Sequence, residues 1–295
     1  MRWIALLITL FQFGCTGIPG GTGRSLVEVD TAALLTSNAE AGTNTTTARH
    51  APALLAVSPE MRAFVDTIEP ALSPNRRFHL ILRALRQDGF LLDYDLHTTT
   101  TAAEAFALRQ GNCISFSALI VALAREVGLQ AHFNLVEAPL GRSRVSGGNG
   151  GTLVKNVLHI NAEVTYGWYK QIIELNFEPP TRYAHKQLSD TRVQALYLNN
   201  RALELSQVQS LEKALTLTQE ALSIEPKLSL LWNTLGYIYR LNGDLELAEM
   251  SYTQALNLEA NNTAAKKNLR NVYELLSRQA LSQDANDRGA QGQGS

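Results

Sequence analysis

Cys113 heads an apolar-periodic run, following Gln110-Gly111-Asn112 and leading into Ile114-Ser115-Phe116 and on to Arg125. At a helix start, the dipole and the free backbone N–H groups stabilise a thiolate. Such a sulfur attacks acyl carbons when a base takes its proton and a third group orients that base. The histidines after it are His132, His159 and His185. In the alternating stretch Leu153 to Val164, Leu158, Ile160, Ala162 and Val164 face one way, and Val157, His159, Asn161 and Glu163 the other. A two-residue turn at Tyr166-Gly167 pairs Thr165 with Trp168 and sets His159 opposite Glu174, about 5 Å apart at the Cβ atoms. Asn176, two residues on, is the alternative orienting residue. The Cys113 backbone N–H is a natural oxyanion donor, with Gln110 and Asn112 as candidate helpers. Each member also has a structural reading: a buried small thiol, a strand histidine, a solvated glutamate. The weight lies in three such residues in the order Cys, His, acid. Cys113 has no second thiol nearby and the histidines lack ligand spacing, so no metal and no cofactor is expected.

The elements that must position these residues begin after an address. Met1-Arg2, the apolar run Trp3 to Phe13 and Gly14-Cys15-Thr16 read as an export signal over residues 1–15. That run is too short to span a bilayer. Gly14-Cys15 resembles the cleavage site of bacterial lipoproteins, with Cys15 as the lipid acceptor, although Gln12 and Phe13 depart from the usual residues. A net charge of -1 without a basic cluster excludes a nucleic-acid surface or polybasic membrane patch. Any membrane contact is through the lipid anchor.

Residues 16–56 are rich in Gly, Thr, Ser and Ala without a period and read as a flexible linker. A first domain follows at 57–189. Ser58-Pro59 and Ser73-Pro74 start helices, and Thr101-Ala102-Ala103-Glu104 is a capping box. Gly111 breaks the chain before the Cys113 helix, which ends at Gly128. The period then falls to two, giving strands at Ala131–Val136, Leu153–Val164 and Trp168–Phe177 around a glycine-rich loop from Gly141 to Thr152, which reads as a lid or as a plain flexible connection. From 190 to 278 the chain is helical. Asn199, Ala214, Ala221 and Pro226 are echoed 34 residues on by Asn233, Ala248, Ala255 and Ala260. Residues 279–295, rich in Gln, Gly, Asp and Asn, read as a disordered tail.

Trp232, Leu235, Gly236, Tyr239, Ala248, Tyr252 and Ala255 resemble the tetratricopeptide signature, after a degenerate first repeat and before a capping helix. Such repeats imply a groove for a protein partner. The segments Thr101–Phe106, Gly111–Phe116 and Ala122–Leu129 resemble bacterial transglutaminase-like proteins of the papain-like superfamily. That resemblance implies an α+β fold with helices packed on an antiparallel sheet, followed here by the all-α repeats. It also implies a Cys113, His159, Glu174 triad, with Glu where the family usually has Asp. The expected protein is an exported cysteine peptidase, amidase or transglutaminase-type acyltransferase acting on a protein or peptide. Its expected place is the bacterial envelope, periplasmic or on the outer membrane. The alternative is a degenerate scaffold that only binds partners.

Overall fold

The computed structural model describes residues 29–36, 53–137, 141–146, 152–179 and 182–291. The export signal and Cys15 lie outside the described residues. Among the described residues no helix is long and apolar enough to cross a membrane.

The expected linker is not featureless: Thr31–Thr36 forms a short helix, α1. Leu34 is fully buried, its carbonyl accepts a hydrogen bond from the Tyr239 hydroxyl, and the Leu35 carbonyl accepts from Gln219 Nε2 at 2.8 Å. These contacts tie the piece to the C-terminal helices.

Helices α2 (Pro59–Asp66) and α3 (Pro74–Gln87) begin at the two Ser-Pro pairs. Ser58 Oγ accepts from the Met61 N–H at 3.2 Å, whereas Ser73 makes no side-chain cap bond and α3 relies on Pro74 at its first turn. Strand β1 (Asp93–Tyr94) pairs in parallel with β2 (Gln110–Gly111). Between them α4 (Ala102–Leu108) opens with both halves of the Thr101–Glu104 capping box.

Helix α5 (Cys113–Glu126) is the centre of the molecule, and every residue from Cys113 to Ala124 is buried. A helix apolar all round needs cover all round. Helices α2 and α4, strand β2, strands β3 (Gln130–Val136) and β6 (Ile160–Tyr166), and the turn at Leu175–Phe177 all pack on it. Strands β4 (Gly141–Ser146) and β5 (Thr152–Val157) form a separate antiparallel hairpin. The glycine-rich stretch is therefore largely strand, and residues 147–151 at its apex lie outside the described residues. With β7 (Tyr169–Ile173) and β8 (His185–Leu188), the main sheet runs β7-β6-β3-β8, antiparallel throughout.

Two features of this sheet differ from expectation. Leu153 to Val164 is not one strand: β5 belongs to the hairpin, β6 to the main sheet, and Leu158-His159 is the joint between them. The β6–β7 turn is Gly167-Trp168, because Tyr166 pairs with Tyr169. The register thus moves by two residues. A shift of two keeps every side chain on its face, whereas a shift of one would reverse the sheet.

Five helices complete the chain: α6 (Asp190–Gln207), α7 (Leu211–Ile224), α8 (Ser229–Asn242), α9 (Leu245–Leu258) and α10 (Thr263–Gln291). They pair as α6 with α7 and α8 with α9. Gly236 lets these helices close: a Cβ there would lie 2.9 Å from the Tyr252 ring. Helix α10 continues through most of the expected tail, to Gln291, with no proline after Gln279 to stop it. One buried cluster runs from Met61 through α5 to Tyr252 and Val272, so both halves share a core.

Candidate active site

The tip of α5 is tightly specified. Asn112 is its N-cap, with Oδ1 accepting from the N–H groups of Ile114 at 3.0 Å and Ser115 at 3.3 Å. Gly111 has φ +153°, and a Cβ there would lie 2.5 Å from the Ser115 Cβ, so no other residue fits. Asn112 Nδ2 donates to Thr99 Oγ1 at 2.7 Å, and the Thr99 N–H donates to Glu204 Oε1 at 2.6 Å. The Cys113 turn is thereby tied, through Thr99, to helix α6.

These bonds change the oxyanion candidates. Asn112 Oδ1 is spent on the cap and one Nδ2 hydrogen on Thr99, which leaves its second amide hydrogen as the one donor of this side chain beside the Cys113 cavity. The Gln110 side chain is exposed on β2 and does not line the space beside Cys113, while its carbonyl accepts from Thr100 Oγ1 at 3.0 Å. The cap takes the N–H groups of Ile114 and Ser115 and leaves that of Cys113 outside it.

His159 sits in the joint between β5 and β6. Its carbonyl accepts from the Val136 N–H at 2.9 Å, which fixes the joint to the end of β3. Its Nε2 meets Glu174 Oε2 at 2.7 Å. The other carboxylate oxygen, Oε1, accepts from Asn161 Nδ2 at 2.8 Å. By register Asn161, not His159, stands across from Glu174, and His159 reaches the carboxylate diagonally from the same face. Asn161 is the second partner that sequence reasoning passed over, although it shares the polar face of His159. Asn176 plays a different part. It has left-handed φ of 51°, and its amide accepts from the Leu92 N–H at 2.8 Å and donates to the Leu92 carbonyl at 3.1 Å. It secures the loop before β1 and does not orient the imidazole.

The electrostatics follow from these contacts. The Cys113 side chain, then Glu174, raise the His159 pKa from 6.5 to about 10, against partial burial. Burial of Glu174, 3 % exposed, acts to raise its pKa. The hydrogen bonds from His159 and Asn161 outweigh burial and hold it below the usual carboxylate value. His159 is thus biased toward its charged form by the Cys113 side chain and the Glu174 carboxylate, and the Leu158 carbonyl lies 4.0 Å from the sulfur.

Cys113, 7 % exposed, opens onto a cavity of about 50 Å³ whose walls include Ile114, Leu158, Leu196, Leu230 and Asn199. Three of these come from α6 and α8, so the repeat region forms part of the wall. Among the described residues no cluster of His, Cys, Asp or Glu could hold a metal ion.

The tetratricopeptide signature residues Trp232, Leu235, Gly236, Tyr239, Ala248, Tyr252 and Ala255 are all buried between α8 and α9. Trp232 Nε1 donates to the Pro226 carbonyl at 2.7 Å, which sets the entry into α8.

Comparison with known proteins bears on these helices. The tetratricopeptide repeat model matches residues 230–262, which spans α8 and α9. Heat shock protein STI1 of Saccharomyces cerevisiae is 37% identical over 87 residues, 30% of this chain and 15% of the yeast protein. The chain thus covers a small share of that relative's length. No solved structure matches. The C-terminal part of this mixed helical and sheet chain therefore carries a tetratricopeptide repeat, a type of module that binds proteins.

Proposed function

We propose that this protein is a cysteine acyltransferase or amidase of the transglutaminase-like kind, acting on polypeptides, with its tetratricopeptide helices helping to hold the substrate. The observation that carries the reading is the His159–Glu174 contact of 2.7 Å, made by an imidazole whose pKa the Cys113 side chain raises most. A structural histidine needs neither a buried carboxylate nor a sulfur at a helix tip.

In this mechanism the Cys113 thiolate attacks an acyl carbon and a C–S bond forms. The developing oxyanion meets the Cys113 backbone N–H. As the C–N bond breaks, the His159 imidazolium gives its proton to the leaving amine, and a thioester remains. Water or a second amine then attacks the thioester and gives a proton to His159. The C–S bond breaks and the imidazolium–thiolate pair is restored. Glu174 holds the ring and its charge throughout, and Asn161 holds Glu174. The extra methylene of Glu over Asp suits the diagonal reach from one strand to the joint before the next. The reading also carries export to the bacterial envelope through the segment ending at Cys15. Recovery of the full chain in a membrane fraction, lost in Cys15→Ser, would support the lipid tether, and an unchanged distribution would remove it.

The direct test is alkylation of folded protein by iodoacetamide, followed by mass spectrometry. Modification of Cys113 in the native wild type, slowed at least tenfold in His159→Ala, is the expected result. Modification only in denaturant would leave the partner-binding scaffold as the function.

A further inference from the structure

Three asparagines mark equivalent places on α6, α8 and α10: Asn199, Asn233 34 residues later, and Asn268 35 residues after that. All are almost fully buried. Two of them grip a strand. Asn268 Oδ1 accepts from the Val154 N–H at 3.2 Å, and its Nδ2 donates to the Val154 carbonyl at 3.1 Å. Asn233 Nδ2 adds a bond to the same carbonyl at 3.4 Å, and its Oδ1 accepts from Asn268 Nδ2 at 2.8 Å. The helices thus hold the backbone of β5 through side-chain amides, without reading the Val154 side chain.

Asn199 is the same device without its strand. It is 2 % exposed, and its Oδ1 finds no hydrogen-bond partner among the described residues. It lines the cavity onto which Cys113 opens. A buried amide oxygen left unpaired costs about 1–3 kcal/mol, so a group that pairs it gains that amount on binding.

We infer that Asn199 is a substrate-positioning residue: it grips the main chain of an extended polypeptide laid across Cys113, as Asn268 grips β5. This rests on the acyl-transfer reading above and narrows its substrate to a peptide in extended conformation. The cavity adds a side-chain preference. Its walls are mostly leucine and isoleucine, and about 50 Å³ is well below the ~150 Å³ that admits a benzene ring. It takes a small aliphatic side chain from the acyl side of the scissile bond and rejects an aromatic one.

Two reagents separate the outcomes. Iodoacetamide reports the reactivity of the Cys113 thiolate alone. Acetyl-Ala-Ala-Val chloromethyl ketone forms the same kind of thioether by displacing chloride, but must first lie along the site. In Asn199→Leu, which keeps the branched outline in a larger side chain and removes the unpaired oxygen, the peptidyl reagent should react about 10- to 100-fold more slowly, the loss of one or two hydrogen bonds. The iodoacetamide rate should stay within about twofold, and the melting temperature should rise by ~2–4 °C as a buried unsatisfied group is removed. Asn199→Ala should show the same split between reagents. Equal rates of peptidyl alkylation in wild type and variants, or equal slowing of both reagents, would overturn the inference while leaving the nucleophile intact. A folded wild type inert to iodoacetamide would overturn the acyl-transfer reading and this inference together.

Discussion

At the scale of residues, the imidazole is the reporter. With the Cys113 side chain as its largest influence, His159 in Cys113→Ala should titrate, by NMR, well below 10 yet above 6.5, because Glu174 remains. A midpoint at or below 6.5 would show that the carboxylate does not outweigh burial. The raised value also sets a sign for stability. A pKa higher in the folded than in the unfolded state contributes stability that is complete below about 6.5 and is lost as pH rises through about 10. Wild type should therefore lose stability from neutral to alkaline pH faster than His159→Gln. On the proposed acyl-transfer function, Glu174→Gln keeps an acceptor but removes the charge that supports a protonated His159, and kcat/KM should fall by about 10²–10⁴-fold. Glu174→Asp shortens an arm that spans both His159 and Asn161, and a displacement of that order costs about 10²-fold. Kinetics with a peptide amide substrate distinguish the two, since an equal loss would mean that geometry alone matters.

At the scale of elements, the tip of α5 and the joint before β6 decide whether these side chains meet. Asn112 serves both the helix and the link to Thr99. Asn112→Ala should cost about 1–3 kcal/mol in urea denaturation, combining a lost cap with a buried hydroxyl deprived of its donor. It should also slow alkylation of Cys113, because the turn that presents the sulfur loosens. The capping box at Thr101, the helix through Cys113 and the alternating faces of β6 were all legible, since each depends on neighbours within four residues. The turn at Gly167-Trp168 was not. A turn of two residues can sit at either of two adjacent positions with the same flanking alternation, and the choice falls to packing of Tyr166 in the core. The error moved the register by two residues and so kept His159 and Glu174 on one face.

At the scale of the molecule, the repeat helices are part of the frame around Cys113. Helix α6 supplies Glu204 to Thr99 and Gln194 to the Leu54 N–H at 3.0 Å, and α8 and α10 hold β5. Arg125 at the end of α5 donates to the Ala131 carbonyl and pairs with Asp190 at the start of α6. A chain ending at Ser189 should lack a cooperative calorimetric transition, and the whole chain should unfold in one. Two separable transitions would show that the halves fold independently. The groove expected for a partner is also altered, because β5 of the same chain occupies the Asn233–Asn268 stretch of it.

Residue type, capping signals and two periodicities settle that a cysteine heads a buried helix, that a strand-rich middle follows it, and that a repeat of 34 residues closes the chain. Those properties are local or strictly periodic, so they survive without coordinates. The break of one strand into β5 and β6, the use of Asn112 and Asn176 as structural ties, the pairing of Asn161 with Glu174, and the presence of Asn199 beside Cys113 are contacts between residues far apart in the chain. Packing around a shared core selects them from many arrangements that the same local signals allow.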